Sequence, residues 1–213
     1  MTPEQASKLN ADLCGLAPVI PVLVLDDAGS AADLARALVA GGLPALEVTL
    51  RTPAALDAIR EMAAVEGGVV GAGTLLTPGD VEAAKEAGAN FGVSPGATDL
   101  LLDACEANDL PLLAGSSSAT EAMRLLERGY SVQKFFPAEA SGGAAALKAI
   151  GAPIPQVSFC PTGGVSLANA RDYLSLPNVV CVGGSWVAPK DMIVSADWAG
   201  IERLARDAAA LPR

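Results

Sequence analysis

The sequence contains no histidine, and its cysteines lie far apart, at Cys14, Cys105, Cys160 and Cys181. A serine or cysteine nucleophile therefore has no histidine partner, and the usual histidine and CxxC ligands of zinc are missing. This composition predicts no metal site and no cofactor. The wide cysteine spacing predicts reduced, mostly buried thiols, which suits a cytoplasmic protein.

Long apolar runs and clusters of basic residues are also missing. No segment approaches the length of a membrane span, and the first 15 residues lack the basic and apolar regions of a signal peptide. The net charge of −10 is spread along the chain, which disfavours a nucleic-acid or membrane partner. We therefore expect a soluble intracellular protein in which any anionic ligand is held by local groups.

Short strand-like segments alternate with Ala- and Leu-rich segments that open on Ser, Thr, Asp or Pro and mostly close on Gly, as helices do. No Ser/Gly linker divides them, and a hydrophobic content of 51% suffices for a sizeable core. The pattern predicts one (β/α)8 barrel domain over residues 1–213 with a short N-terminal helix; a doubly wound open sheet is the alternative. The predicted strands are 19–25, 45–50, 68–74, 91–95, 111–116, 131–137, 156–163 and 179–185.

The second predicted strand, "ALEVTLR", carries a polar face. Its apolar residues alternate with Glu47, Thr49 and Arg51, so one face packs on helices and the other points into the barrel. A buried carboxylate and guanidinium are costly unless paired or used, which predicts a site near the carboxyl end of this strand. A Glu47–Arg51 pair that merely fills the barrel is the structural alternative.

The sixth predicted strand contains a lysine in an apolar setting, "VQKFFPAEA". The same alternation places Lys134 inside the barrel with Glu47. Desolvation favours the neutral amine, which is the form that attacks a carbonyl to make a Schiff base, and a nearby carboxylate can move the protons that imine chemistry needs. A lysine that extends its charged end into water at the strand end is the alternative interpretation.

Glycine-rich turns follow the last two predicted strands, in "CPTGGVS" and "VGGSW". Barrels commonly bind a phosphate there on backbone N–H groups, which suits a protein of negative net charge. The segments "GAGTLL" and "VSPGAT" end strands three and four with the hydroxyls of Thr74 and Ser94, although each of these segments also fits an ordinary turn.

Six segments, "LEVTLRTP", "GAGTLLTP", "SPGATD", "KFFPAEASGG", "CPTGGVS" and "GGSW", occur in this order over nearly the whole chain. Together they resemble the class I 2-keto-3-deoxy-6-phosphogluconate aldolases, which are often grouped with the 4-hydroxy-2-oxoglutarate aldolases. The resemblance implies a homotrimeric barrel that cleaves 2-dehydro-3-deoxy-6-phosphogluconate to pyruvate and glyceraldehyde 3-phosphate in the Entner–Doudoroff pathway. Many members carry an arginine before the first strand, where this chain reads "APVIPVLVL".

The resemblance also implies roles for individual residues. Lys134 falls on the Schiff-base lysine, Glu47 on the general acid and base, and Phe136 on the wall of the pyruvyl pocket. Arg51 and Thr74 fall on the contacts to the pyruvate carboxylate. The residues toward the distal hydroxyls and the phosphate are Thr162, Gly163, Gly164, Gly184 and Ser185.

Other functions remain open at this point. The galactonate epimer and 4-hydroxy-2-oxoglutarate share the pyruvyl half of the substrate and differ only at distal positions. A phosphate-binding barrel isomerase or synthase that uses carboxylates without a lysine adduct would share the glycine-rich turns. A non-catalytic sugar-phosphate sensor on the same scaffold would have no need to bury a lysine beside a carboxylate.

Overall fold

The fold is an eight-position parallel β-barrel surrounded by helices, seen in a computed structural model that describes residues 1–212. Arg213, the last residue of the expected domain, lies outside the described residues. The helices are α1 (Pro3–Gly15), α2 (Ala31–Ala40), α3 (Ala55–Ala63), α4 (Pro78–Glu86), α5 (Asp99–Ala107), α6 (Ala119–Arg128), α7 (Gly143–Gly151), α8 (Ala170–Leu174), α9 (Lys190–Val194) and α10 (Trp198–Ala209). The strands are β1 (Val19–Leu23), β2 (Ala45–Thr49), β3 (Val69–Gly73), β4 (Phe91–Val93), β5 (Leu112–Leu113), β6 (Gly115–Ser116), β7 (Val132–Phe135), β8 (Ser158–Pro161) and β9 (Val182–Gly184).

The strands close into a ring. Six of them pair in the order β5-β4-β3-β2-β1-β9 and three in the order β6-β7-β8, and each pairing is parallel. Strands β5 and β6 form one barrel position that is interrupted at Ala114, whose carbonyl still accepts the N–H of Lys134 at 2.9 Å. Bridges from Phe159 to Val179 and from Thr162 to Gly183 join β8 to β9. The (β/α)8 prediction is confirmed, and the open-sheet alternative is wrong.

Side chains alternate along the strands between the barrel interior and the helix layer. On β2, Leu46 and Val48 join the large apolar cluster that packs against the helices, whereas Ala45 belongs to a smaller cluster. That smaller cluster also contains Phe91 and Val132, and it fills the interior. Burying one large aliphatic side chain contributes roughly 1.5–3 kcal/mol to stability. The two clusters therefore stabilise the barrel both from its interior and from the helix layer outside it.

Helix α1 covers the amino-terminal end of the barrel. Its last turn adds Leu13 and Cys14 to the interior cluster, and the amide of Asn10 donates a hydrogen bond to the carbonyl of Leu112 at 2.8 Å. Ser7 Oγ donates to the carbonyl of Gly129. These contacts leave the opposite end, where the strands finish, as the open mouth of the barrel.

The cysteine prediction is confirmed, because all four cysteines are buried and none of them forms a disulfide. Over residues 1–212, no helix combines the length and the apolar character needed to cross a membrane.

Candidate active site

The central feature of the barrel interior is a buried pair, Lys134 on β7 and Glu47 on β2. The Lys134 Nζ atom lies 3.4 Å from Glu47 Oε1, and the two side chains are only 5% and 4% exposed. Strand alternation directs both side chains inward, so residues 87 positions apart meet inside the ring. The pair joins an amine and a carboxylate in a site that is largely shielded from water.

Burial governs the electrostatics of Glu47. Desolvation raises the pKa of its carboxyl group above the usual value, and the positive charges of Lys134 and Arg51 oppose that rise without cancelling it. A carboxyl group of this kind holds a proton more readily than an exposed glutamate. It is therefore suited to exchange protons with a bound molecule.

Two glycines leave space beside these side chains. A Cβ atom at Gly73 would lie 2.7 Å from Glu47 Cγ and closer still to the carboxylate oxygen. A Cβ atom at Gly183 would overlap the side chain of Thr162. The room around the carboxylate and around Thr162 therefore depends on the absence of side chains on β3 and β9.

Phe136 forms an apolar wall next to the lysine. The Lys134 Nζ atom lies 5.2 Å from the centroid of the Phe136 ring, within the range of a cation–π contact. The ring also reaches the turn after β8, because a Cβ atom at Gly163 would sit 3.2 Å from it. Phe136 thus connects the lysine to the first glycine-rich turn.

Arg51 and Thr74 form a second polar pair at the mouth. Arg51 follows β2, is exposed, and donates from Nε to Thr74 Oγ1 at 3.2 Å. Thr74 has a φ of 64°, a left-handed conformation that is unfavourable for a β-branched residue. Strained residues of this kind cluster at functional sites, where the surrounding structure holds them.

The turn after β8 presents backbone rather than side chains. Gly163 and Gly164 have φ values of 99° and 80°, which glycine adopts at no steric cost. Among residues 1–212, the N–H of Gly164 donates no hydrogen bond, and neither does that of Ser185 in the turn after β9. Gly164 and Ser185 therefore offer unpaired backbone donors on the turns that follow β8 and β9.

Thr162 and Gly184 are more deeply placed than the rest of these turns. Thr162 is 6% exposed and lies inside the barrel, where its Oγ1 is 4.0 Å from Cys160 Sγ. Gly184 is buried, and a Cβ atom there would overlap the ring of Trp186. The space next to the Gly184 Cα atom is therefore occupied by the indole ring of Trp186.

The structure brings Glu47, Lys134 and Phe136 together, and it joins Arg51 to Thr74. Three further residues of the site were not predicted from the sequence, namely Gly73, Trp186 and Glu139. The Glu139 side chain packs against Gly164. The glycine pattern of "GAGTLL" was visible, but nothing in the sequence shows which glycine faces a carboxylate.

A family model described as KDPG and KHG aldolase matches residues 11–204. The chain is 51% identical over 200 residues to a 2-dehydro-3-deoxy-phosphogluconate aldolase of Pseudoalteromonas atlantica, covering 93% of each protein. The crystal structure of the 2-keto-3-deoxy-6-phospho-gluconate aldolase from Zymomonas mobilis is 49% identical, with a TM-score of 0.91, and the match covers 95% of this chain and 97% of that one. A KDPG aldolase from Legionella pneumophila, crystallised with pyruvate captured as a covalent carbinolamine, is 45% identical, with a TM-score of 0.91 and coverage of 94% and 98%. The chain therefore belongs to the KDPG and KHG aldolase family, whose members are lyases.

Proposed function

We propose that this protein is a Schiff-base aldolase that cleaves 2-dehydro-3-deoxy-6-phosphogluconate to pyruvate and D-glyceraldehyde 3-phosphate. The observation that carries the proposal is the buried contact of 3.4 Å between Lys134 Nζ and Glu47 Oε1. The relative from Legionella pneumophila, which holds pyruvate as a covalent carbinolamine, supports covalent chemistry at this site. An enzyme that used carboxylates alone would have no reason to bury a lysine there.

The first step is addition of the Lys134 amine to the C2 ketone of the substrate. Loss of water from the resulting carbinolamine gives a protonated imine, and its nitrogen accepts the electron pair of the C3–C4 bond when that bond breaks. The aldehyde leaves, and an enamine of pyruvate stays attached to the lysine. The apolar wall formed by Phe136 limits water around this nitrogen.

Glu47 moves the protons. As the C3–C4 bond breaks, the carboxylate removes the proton of the C4 hydroxyl group, directly or through a water molecule. The same group then gives a proton to the enamine carbon, and hydrolysis of the new imine releases pyruvate and restores Lys134. The raised pKa of Glu47 suits both halves of this exchange, because the group must accept a proton and then give it up.

Arg51 and Thr74 orient the substrate carboxylate. The guanidinium at the mouth is exposed and already bonded to the Thr74 hydroxyl, so both groups can face one carboxylate. A charge-assisted clamp of this kind holds the reacting carbons near Glu47.

The distal end of the substrate lies on the two turns. The free N–H groups of Gly164 and Ser185 supply donors for a phosphate without any cationic side chain. Thr162, which is buried, and Gly163, which adjoins the Phe136 ring, are the proposed contacts to the distal hydroxyl groups. Gly184 supports this end indirectly, since its missing side chain leaves room for Trp186.

Two other substrates stay open, the galactonate epimer and 4-hydroxy-2-oxoglutarate. The test is one kinetic comparison of the three substrates, followed by pyruvate release. We expect the highest kcat/KM for the phosphorylated gluconate derivative. An equal or higher value for 4-hydroxy-2-oxoglutarate would contradict the phosphate subsite, and failure of borohydride to trap pyruvate on Lys134 would contradict the Schiff base and favour an isomerase or synthase.

We also propose that residues 1–213 form one domain, that the protein is a homotrimer, and that it acts in the cytoplasm. The trimer is suggested by the resemblance to the aldolases, and buried cysteines that form no disulfide suit a reducing compartment. Light scattering coupled to gel filtration tests the trimer, and a monomeric mass would contradict it.

A further inference from the structure

Glu139 contacts the turn after β8 with both its backbone and its side chain. Its N–H donates to the carbonyl of Gly163 at 3.0 Å. Its Cβ and Cγ atoms occupy the space where a side chain of Gly164 would be, at 2.7 and 2.6 Å from an added Cβ. The turn therefore rests on Glu139, a residue in the loop that follows the strand of the buried lysine.

A buried tyrosine holds the carboxylate of Glu139. Tyr173 on α8 is 1% exposed, and its hydroxyl donates a hydrogen bond to Glu139 Oε1. Burial, together with this hydrogen bond to a carboxylate, raises the pKa of Tyr173, so the hydroxyl stays protonated and remains a donor. The cap of the same helix holds the turn from the other side, because Asn169 Nδ2 donates to the carbonyl of Gly164 at 3.1 Å.

The hydrogen bond from Tyr173 sets the direction of the Glu139 carboxylate relative to the Gly163–Gly164 turn. A carboxylate beneath a phosphate-binding turn repels the phosphate if it rotates toward the free N–H groups. The bond from Tyr173 directs the charge of Glu139 toward α8 and keeps its methylene groups under Gly164. The N–H of Gly164 then stays unpaired and available to a bound phosphate.

We propose that Glu139 and Tyr173 are positioning residues for the phosphate end of the substrate. The pair holds the Gly163–Gly164 turn in its left-handed conformation and keeps a negative charge away from the bound phosphate. The inference rests on the proposed function, because it assumes that the phosphate binds on this turn. It means that the preference for a phosphorylated substrate depends partly on the hydrogen bond between Tyr173 and Glu139, which does not contact the substrate.

The test is Tyr173→Phe, which removes one hydroxyl group and keeps the buried ring. We expect KM for the phosphorylated substrate to rise about two- to tenfold, the range of one hydrogen bond, with kcat little changed. Cleavage of unphosphorylated 4-hydroxy-2-oxoglutarate and borohydride trapping of pyruvate are expected to stay at the parent values. Glu139→Gln keeps the acceptor and the methylene groups, so its KM is expected to equal that of the parent or fall below it.

Tyr130→Phe is the matched control. Tyr130 is also fully buried and also donates to a glutamate, Glu106 on α5, at 3.1 Å, but it lies in the short loop between α6 and β7. We expect this variant to lower the unfolding midpoint and leave both KM values unchanged. An equal KM rise for both substrates in Tyr173→Phe, or no rise for either, would overturn the inference. If the parent protein has the same KM for both substrates, the proposed phosphate subsite is contradicted. The positioning role of Glu139 and Tyr173 is then contradicted as well, because it depends on that subsite.

Discussion

The two ends of the candidate active site are built by different means. At the reacting end, Lys134 and Glu47 project from strands that are paired on both sides, and both are at least 95% buried. At the distal end, the turns with Gly164 and Ser185 present backbone N–H groups at exposed positions. The proposed function assigns bond cleavage to the paired strands of the barrel and the choice among substrates to turns that a few contacts hold. Variants at the first end should therefore affect every substrate, and variants at the second end only the phosphorylated ones.

The largest effect is expected for Lys134→Arg. The guanidinium keeps the positive charge beside Glu47 but offers no free amine, so turnover of every substrate should fall on the order of 10⁴-fold or more. In the parent, pyruvate and borohydride should label the tryptic peptide spanning residues 129–148, and the variant should not be labelled. Lys148→Arg, on the exposed side of α7, is the control and should keep full turnover. A label on Lys148 would contradict the assignment.

Glu47→Gln is expected to lower kcat on the order of 10²- to 10⁴-fold, because an amide cannot accept the C4 hydroxyl proton. Imine formation with pyruvate should continue, although more slowly. Since burial raises the pKa of Glu47, the acid limb of the parent kcat/KM profile should lie above pH 4.5 and should disappear in the variant. Unchanged turnover would make Glu47 a structural residue.

The same shift predicts how stability depends on pH. The folded protein binds the Glu47 proton more tightly than the unfolded chain does, so this group stabilises the fold below the ordinary pKa of 4.5. Its contribution is lost as the pH rises through the folded-state pKa. Urea unfolding at several pH values, with Glu47→Gln as reference, measures this contribution, and parallel curves for the two proteins would contradict it.

Arg51→Ala should weaken binding of pyruvate and of all three substrates by about tenfold or more, the loss expected for a charge-assisted hydrogen bond. The measurement is KM together with inhibition by pyruvate. Arg60→Ala is a suitable control, since Arg60 is an exposed arginine paired with Asp57 on α3. If Arg51→Ala affects only the phosphorylated substrate, the division between the two ends is wrong.

Thr74→Asn addresses the strain at the mouth and should have the smallest effect. Asparagine tolerates the left-handed conformation better than a β-branched residue, so the variant should gain up to about 1 kcal/mol in the free energy of unfolding. It loses the hydroxyl that accepts from Arg51 Nε, and we expect kcat/KM to fall a few fold for all substrates. A loss of stability would show that the threonine is not strained.

The sequence predicted the architecture because strand alternation and helix caps are local signals. It predicted that Glu47 and Lys134 share the interior, since both follow from alternation within one strand each. Contacts that depend on how distant strands meet were not predictable in this way. Three features arise from closure of the barrel and packing of its loops, and these produce no periodic pattern in the sequence. They are the division of the fifth strand at Ala114, the indole of Trp186 beside Gly184 and the contact of Glu139 with Gly164.

The glycines of the barrel interior bear on how a mutational scan of this family is interpreted. Substitution by alanine is normally a deletion of contacts, but at Gly73 and Gly183 alanine is the larger residue and would push against Glu47 and Thr162. A scan will therefore score both positions as intolerant although neither supplies a reactive group. The space beside Glu47 and Thr162 exists because Gly73 on β3 and Gly183 on β9 have no side chain. Adding a small side chain at Gly73 or Gly183 is therefore the first step in engineering the site for a smaller or differently shaped aldehyde.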